Sequence, residues 1–164
     1  MKIRSLSKYI RENIRIIIVF LLASLLRLVN LGYSDYQGDE IKALYLPKGG
    51  QSFYEFIMEQ KKGPLQFFIT YVIKFFDSSY ENQFLVRLSF AVAGILAVVF
   101  FYKLVKIHFG EKIAFYSSLF FATNGLFIAF SRIVQYQSFV LLFAILCLYF
   151  LSLANENEKY YTSG

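Results

Sequence analysis

The sequence predicts an all-α integral membrane protein, with about four transmembrane helices and short juxtamembrane helices in its first outer loop. Three observations carry that expectation. The 164 residues are 57% hydrophobic and include 20 Phe, with a mean hydropathy of +0.51, against an apolar share of ~45–50% in ordinary soluble domains. Apolar runs long enough to span a bilayer recur between short polar stretches. The cations gather beside those runs rather than along one soluble face, so the formal charge of +6 reads as membrane orientation and argues against nucleic-acid binding.

Residues 1–15 form a basic N-terminus, with Lys2, Arg4, Lys8, Arg11 and Arg15 against Glu12. The first span follows over 16–31. It contains Arg27 and no clear small-x-small cleavage site, which separates it from a signal peptide, and the positive-inside rule places the N-terminus in the cytoplasm. Arg27 lies near the outer end of this span. Its side chain can snorkel to the interface or face the protein interior, and snorkelling is the simpler expectation.

The outer loop covers 32–83. Gly38 can cap a short helix with Asp39 and Glu40 in its first turn and Ile41, Leu44 and Tyr45 on one apolar face; Pro47 and Gly49-Gly50 end it. Ser52 caps a second short helix, and Glu55 three residues on completes a capping box. Both helices are expected to lie along the membrane surface. Pro64 opens a third, Leu65 to Phe76, whose dozen residues reach only ~18 Å against a hydrocarbon core of ~30 Å. It is therefore expected not to cross. The acidic turn Asp77–Glu81 then stays outside, and the second span, 84–107, runs inward from Arg87 to Lys103, Lys106 and Lys112, in keeping with the positive-inside rule.

The third span, 113–130, returns outward with Asn124-Gly125 as a potential break. The fourth, 138–153, runs back inward to the polar tail 154–164. His108, among three lysines, reads as a solvated residue at the membrane edge. Cys147 is the single cysteine, so no disulfide or CxxC metal site can form within the chain. There is no repeat, no low-complexity segment and no soluble domain.

Five of the eleven acidic residues, Asp35, Asp39, Glu40, Glu55 and Glu59, fall in the stretch from Gly32 to Leu65, so chemistry is expected there. An Asp-Glu pair is often just a solvated helix start. Beside apolar residues at a membrane surface, however, a carboxylate can be tuned to act as a general base. Lys61-Lys62 can anchor the loop at the interface or hold a lipid phosphate. Arg87 and Arg132 both fall at outer helix ends. Each alone reads as an anchor; together with the lysines they can form a basic rim around an anionic lipid head.

The combined layout is more specific. GDEIKALYL, KKGPLQFFITYVIKFF, the long stretch from VRLSF to NGLF, and SRIVQYQSFVLLF together resemble the N-terminal module of GT-C-fold glycosyltransferases that use polyprenyl-phosphate donors. The resemblance is to family 39 and to the aminoarabinose-transferase-like bacterial enzymes related to protein O-mannosyltransferases, over about residues 10–153. It implies a catalytic Asp at Asp39 that activates the acceptor, Glu40 as its companion, and Lys42 and Lys62 near the donor phosphate; from their positions at outer helix ends, Arg87 and Arg132 are added as further phosphate contacts, and Glu40 as a weak metal partner. The donor would be a polyprenyl-phosphate sugar, the acceptor a glycan, lipid or protein, and the location a bacterial-type cytoplasmic membrane. No cofactor is required by the pattern beyond a divalent metal left open at Glu40.

Two positions depart from the family pattern: Gly63 stands where a first Pro is usual, and Gln137 stands where members often carry a second acid. The competing reading is a non-catalytic four-span membrane protein, or a truncated remnant, that binds lipid or a partner subunit. A transporter half is disfavoured because no ionisable residue sits in the middle of a span.

Overall fold

A computed structural model describes the backbone of residues 2–61 and 63–162 and the side chains of 13–61 and 63–155. Lys62, expected beside the donor phosphate, lies outside the described residues. Among those described there are helices and loops and no strand. The helices are α1 (Lys2–Leu28), α2 (Phe53–Glu59), α3 (Leu65–Ile73), α4 (Gln83–Thr123), α5 (Gly125–Ser131) and α6 (Gln137–Thr162), with a single 3₁₀ turn at Ile41–Ala43.

The 41 residues of α4 do not run straight. At Gly110 the backbone takes φ 79° and ψ 171°, a left-handed conformation that favours glycine. A continuous helix would separate Phe101 from Phe121 by roughly 30 Å at its ordinary rise per residue. Their rings instead lie 4.9 Å apart, so the two legs of α4 are folded against each other at Gly110. Two helices among the described residues are long and apolar enough to cross a membrane, Gln83–Thr123 and Gln137–Asn155.

The bundle core is built where α1, both legs of α4 and α6 meet: Val19 and Ala23, Ala93, Ala97 and Val98, Ala114 and Ala122, Leu142 and Ile145 are buried together. Alanine dominates because small side chains let helix backbones approach closely, which is how apolar helices associate when lipid supplies no hydrophobic drive. Large apolar side chains point outward instead, among them Leu21, Leu25, Phe120, Phe143 and Leu151. Charges mark the Gly110 end of the bundle, where Glu111 pairs with Arg15 at 3.5 Å and Lys106 at 3.8 Å. His108 binds Ser152 Oγ nearby, at 2.8 Å.

At the opposite end the loop is packed rather than draped. Ala43, Leu44, Ile73 and Tyr80 are buried against Val86 and Phe90 of α4 and against Val134. A second cluster, Tyr45, Phe56 and Phe67, closes over α2 and α3. The capping box at Ser52 forms as its sequence requires: Glu55 N–H donates to Ser52 Oγ, and Ser52 N–H donates to Glu55 Oε2 at 2.8 Å. These backbone and hydroxyl donors hold the Glu55 carboxyl below its ordinary value.

Two expectations are corrected here. The stretch after Gly38 forms only the 3₁₀ turn, because Leu44 is already extended at ψ 147° so that Tyr45 can enter the aromatic cluster. Arg27 does not snorkel. It is 1% exposed, and its Nη1 donates to the carbonyls of Ala122 at 3.2 Å and Ala23 at 3.4 Å.

Candidate active site at the loop end of the bundle

The site begins where α1 stops. Past Leu28 the chain turns through Asn30, at φ 52°, and the carbonyls left open at the helix end are taken by Arg132. Its Nη1 donates to Leu26 O at 3.0 Å and Val29 O at 2.8 Å, and its Nη2 to Asn30 O at 3.0 Å. A guanidinium at a helix C-terminus also meets the negative end of the helix dipole. Arg132 thus joins α1 to the segment following α5.

Glu40 is the centre of the arrangement. It is 4% exposed, and the 3₁₀ turn after it directs its carboxylate inward. Oε1 accepts from Arg87 Nε at 2.9 Å and from Val134 N–H at 3.0 Å. Oε2 accepts from Arg87 Nη2 at 2.9 Å and, more weakly, from Gln37 N–H at 3.4 Å. One carboxylate therefore ties together the loop, the start of α4 and the segment before α6.

Arg87 is equally committed. Beyond its two bonds to Glu40, Nη1 donates to Leu31 O at 3.1 Å and Ser34 O at 2.8 Å, and Nη2 to Asp35 O at 3.3 Å. All five guanidinium N–H groups are accounted for. In this arrangement Arg87, expected as a phosphate contact, directs its donors to Glu40 and to loop carbonyls. Both Glu40 oxygens accept hydrogen bonds here. Among the described residues no group of three or more His, Cys, Asp or Glu comes together as a metal site.

Tyr36 completes the packing. Its ring lies 5.3 Å from the Arg87 guanidinium carbon, and its hydroxyl donates to Tyr80 O at 2.9 Å. Tyr80 in turn donates toward Thr70 O at 2.9 Å and Tyr45 O at 3.2 Å. Burial pushes both phenols up to about 12, with the nearby Arg87 charge opposing the shift at Tyr36.

Above the ion pair lies an open cavity of about 380 Å³, with Glu40 and Arg87 in its floor and Asp35, Gln135 and Arg132 around it. Asp39 does not line it. Its side chain is 56% exposed and pairs with Lys42 Nζ at 3.6 Å, so the sequence neighbours Asp39 and Glu40 face opposite ways. Lys42, at 74% exposed, is also outside the lining. The sequence marks Asp35 only as one of five acidic residues in the loop, and Gln135 not at all, since they join the cavity only through the fold. Gln137, where a second acid is usual, starts α6 with Oε1 buried and without a partner.

An all-helical fold among the described residues, with two helices long and apolar enough to cross a membrane, is consistent with a helical membrane protein. Residues 61–164, more than half of the chain, match the family model described as dolichyl-phosphate-mannose-protein mannosyltransferase, and the chain belongs to that family of glycosyltransferases, which draw on lipid-linked sugar donors. The matched stretch contains Arg87 and Arg132, whereas Asp39, Glu40 and Lys42 precede it. No curated protein and no solved structure matches the chain.

Proposed function

We propose that the chain forms the N-terminal part of a membrane glycosyltransferase that moves a sugar from a polyprenyl-phosphate donor to an acceptor on the outer face of a bacterial-type cytoplasmic membrane. The observation that carries this reading is the fixing of Glu40 by Arg87 and Val134. It holds the adjoining backbone in one conformation and leaves Asp39 outward beside Lys42, at 3.6 Å. In this reading α1, the two legs of α4 and α6 each cross the bilayer, with both termini inside and the loop outside.

Asp39 acts as the general base. It takes the proton of an acceptor hydroxyl, whose oxygen attacks the anomeric carbon of the donor sugar. The bond from that carbon to the lipid phosphate oxygen breaks, and the phosphate leaves with the electron pair; direct displacement inverts the anomeric centre. Lys42, Lys62 and Arg132 stabilise the leaving phosphate, while Glu40 and Arg87 position the loop.

Transfer is measured in proteoliposomes of the full-length chain supplied with a radiolabelled polyprenyl-phosphate sugar. Asp39→Asn is expected to abolish transfer while leaving membrane insertion and helix content unchanged, and undiminished transfer would overturn the assignment. A second reading is favoured by one observation: Asp35, not Asp39, lines the cavity. Loss of transfer in Asp35→Asn with retention in Asp39→Asn would move the base to Asp35. Donor binding without transfer by the unaltered chain would support the lipid-binding, non-catalytic alternative.

A further inference from the structure

α5 separates two cavities. Ala129, Arg132 and Ile133 line the one at the loop end; Phe127, Phe130 and Ser131 line a second, of about 170 Å³, on the other side of this short helix. Within α5, Ala129 lies roughly 200° around the helix from Phe127, while Arg132 and Ile133 follow the helix end. The second cavity also touches Arg27, Gly94, Gln137 and Ser138.

Its polar groups are incomplete. Arg27 Nε, Gln137 Oε1 and Ser138 Oγ are buried without hydrogen-bond partners, and all three residues face this one space. Arg27 is 1% exposed and Ser138 3% exposed. Arg27 Nη1 donates to two backbone carbonyls, and no carboxylate lines the cavity. Ala122 lies at the end of α4, where the helix dipole supplies roughly half a negative charge, which leaves the guanidinium partly uncompensated. Water in the cavity could complete the hydrogen bonds but would leave the charge unpaired, and an unpaired buried charge is costly.

The cavity is comparable in volume to engineered spaces of ~150 Å³ that admit a benzene-sized guest. A half-turn of the Gln137 amide presents its NH₂ in place of Oε1, so the walls offer three donors: guanidinium, hydroxyl and amide. α6 begins at Gln137, and the positive end of its dipole adds to the field there.

We propose that this cavity is a binding site for a small oxyanion of phosphate or carboxylate size, held by Arg27 Nε, Ser138 Oγ and the Gln137 amide. It is separate from the loop-end cavity and does not depend on the role given to Asp39. The anion is either free in solution or part of a lipid headgroup, and the test distinguishes these sources.

The full chain is placed in phosphatidylcholine nanodiscs and its thermal midpoint followed as inorganic phosphate is added. A second set of nanodiscs contains phosphatidic acid, with native mass spectrometry to count retained lipid. Stabilisation by inorganic phosphate supports a free anion; stabilisation only with phosphatidic acid, with one lipid retained, supports a headgroup. Ser138→Ala should weaken either effect about tenfold, the loss of one charge-assisted bond. Gln137→Glu supplies the counter-charge from within the chain. It should raise the midpoint without added anion and abolish the response. The site is overturned if neither phosphate form stabilises the unaltered chain, or if Gln137→Glu responds as the unaltered chain does.

Discussion

Arg87 grips Glu40 through two bonds of 2.9 Å across 47 residues of sequence, with the two side chains only 3% and 5% exposed. Removing either partner strands a buried charge. Glu40→Leu or Arg87→Met should therefore each cost about 3–5 kcal/mol, whereas the double replacement Glu40→Leu with Arg87→Met should cost much less than the sum. Thermal denaturation of the four proteins in detergent checks this, and additive losses would show that the pair is not coupled.

Gly94 sits where α4 passes Ser131 and Arg27. A Cβ placed there would lie 2.4 Å from Ser131 Cβ and 3.1 Å from Arg27 Nε. Gly94→Ala is expected to destabilise by about 1–3 kcal/mol through overpacking. Adding Ser131→Gly removes the tightest contact and should recover most of the thermal midpoint; no recovery would place the strain elsewhere.

Arg132 closes the end of α1 through three carbonyls. Arg132→Ala should free them to water and raise amide hydrogen exchange over residues 29–34 while leaving exchange at 93–98 unchanged. Arg132→Lys should restore part of the protection, because an ammonium keeps the favourable charge at the helix end but loses the planar fork.

The loop end should be sensitive to both extremes of pH. Tyr36 and Tyr80 have their phenols raised from 10.0 to about 12 by burial. An unfolded loop would lose these protons first, so the stability they contribute is fully present below pH 10 and falls between pH 10 and about 12. Asp77 is held below its ordinary 3.8, chiefly by the Asn82 N–H, so its contribution is present above that value and is lost as the pH falls through the lowered one. Tyrosinate absorbance followed alongside loop hydrogen exchange tests the alkaline limb: exposed tyrosines should ionise before the loop opens, and Tyr36 and Tyr80 only with it.

Local features were legible from the sequence because their causes are local. The Ser52–Glu55 capping box, Pro64 at the start of α3 and the break at Asn124 each rest on residues within a few positions, and the apolar runs follow from composition alone. The Asp39-Glu40 pair could likewise be found. Its division of labour could not, because neighbouring side chains face opposite ways only once a 3₁₀ turn replaces the expected helix.

What the sequence by itself determined was a helical membrane chain with a charged loop and a resemblance to lipid-dependent glycosyltransferases. What only the tertiary structure decided was where the charges sit. Arg87 is a floor rather than a rim because Glu40 lies 47 residues away in sequence and 2.9 Å away in space. Arg27 is buried rather than snorkelling because a carbonyl 95 residues on, at Ala122, accepts a hydrogen bond from its Nη1. The physical reason is that a charge in an apolar bundle goes where its partners are, and those partners are set by helix packing that no single stretch of sequence encodes.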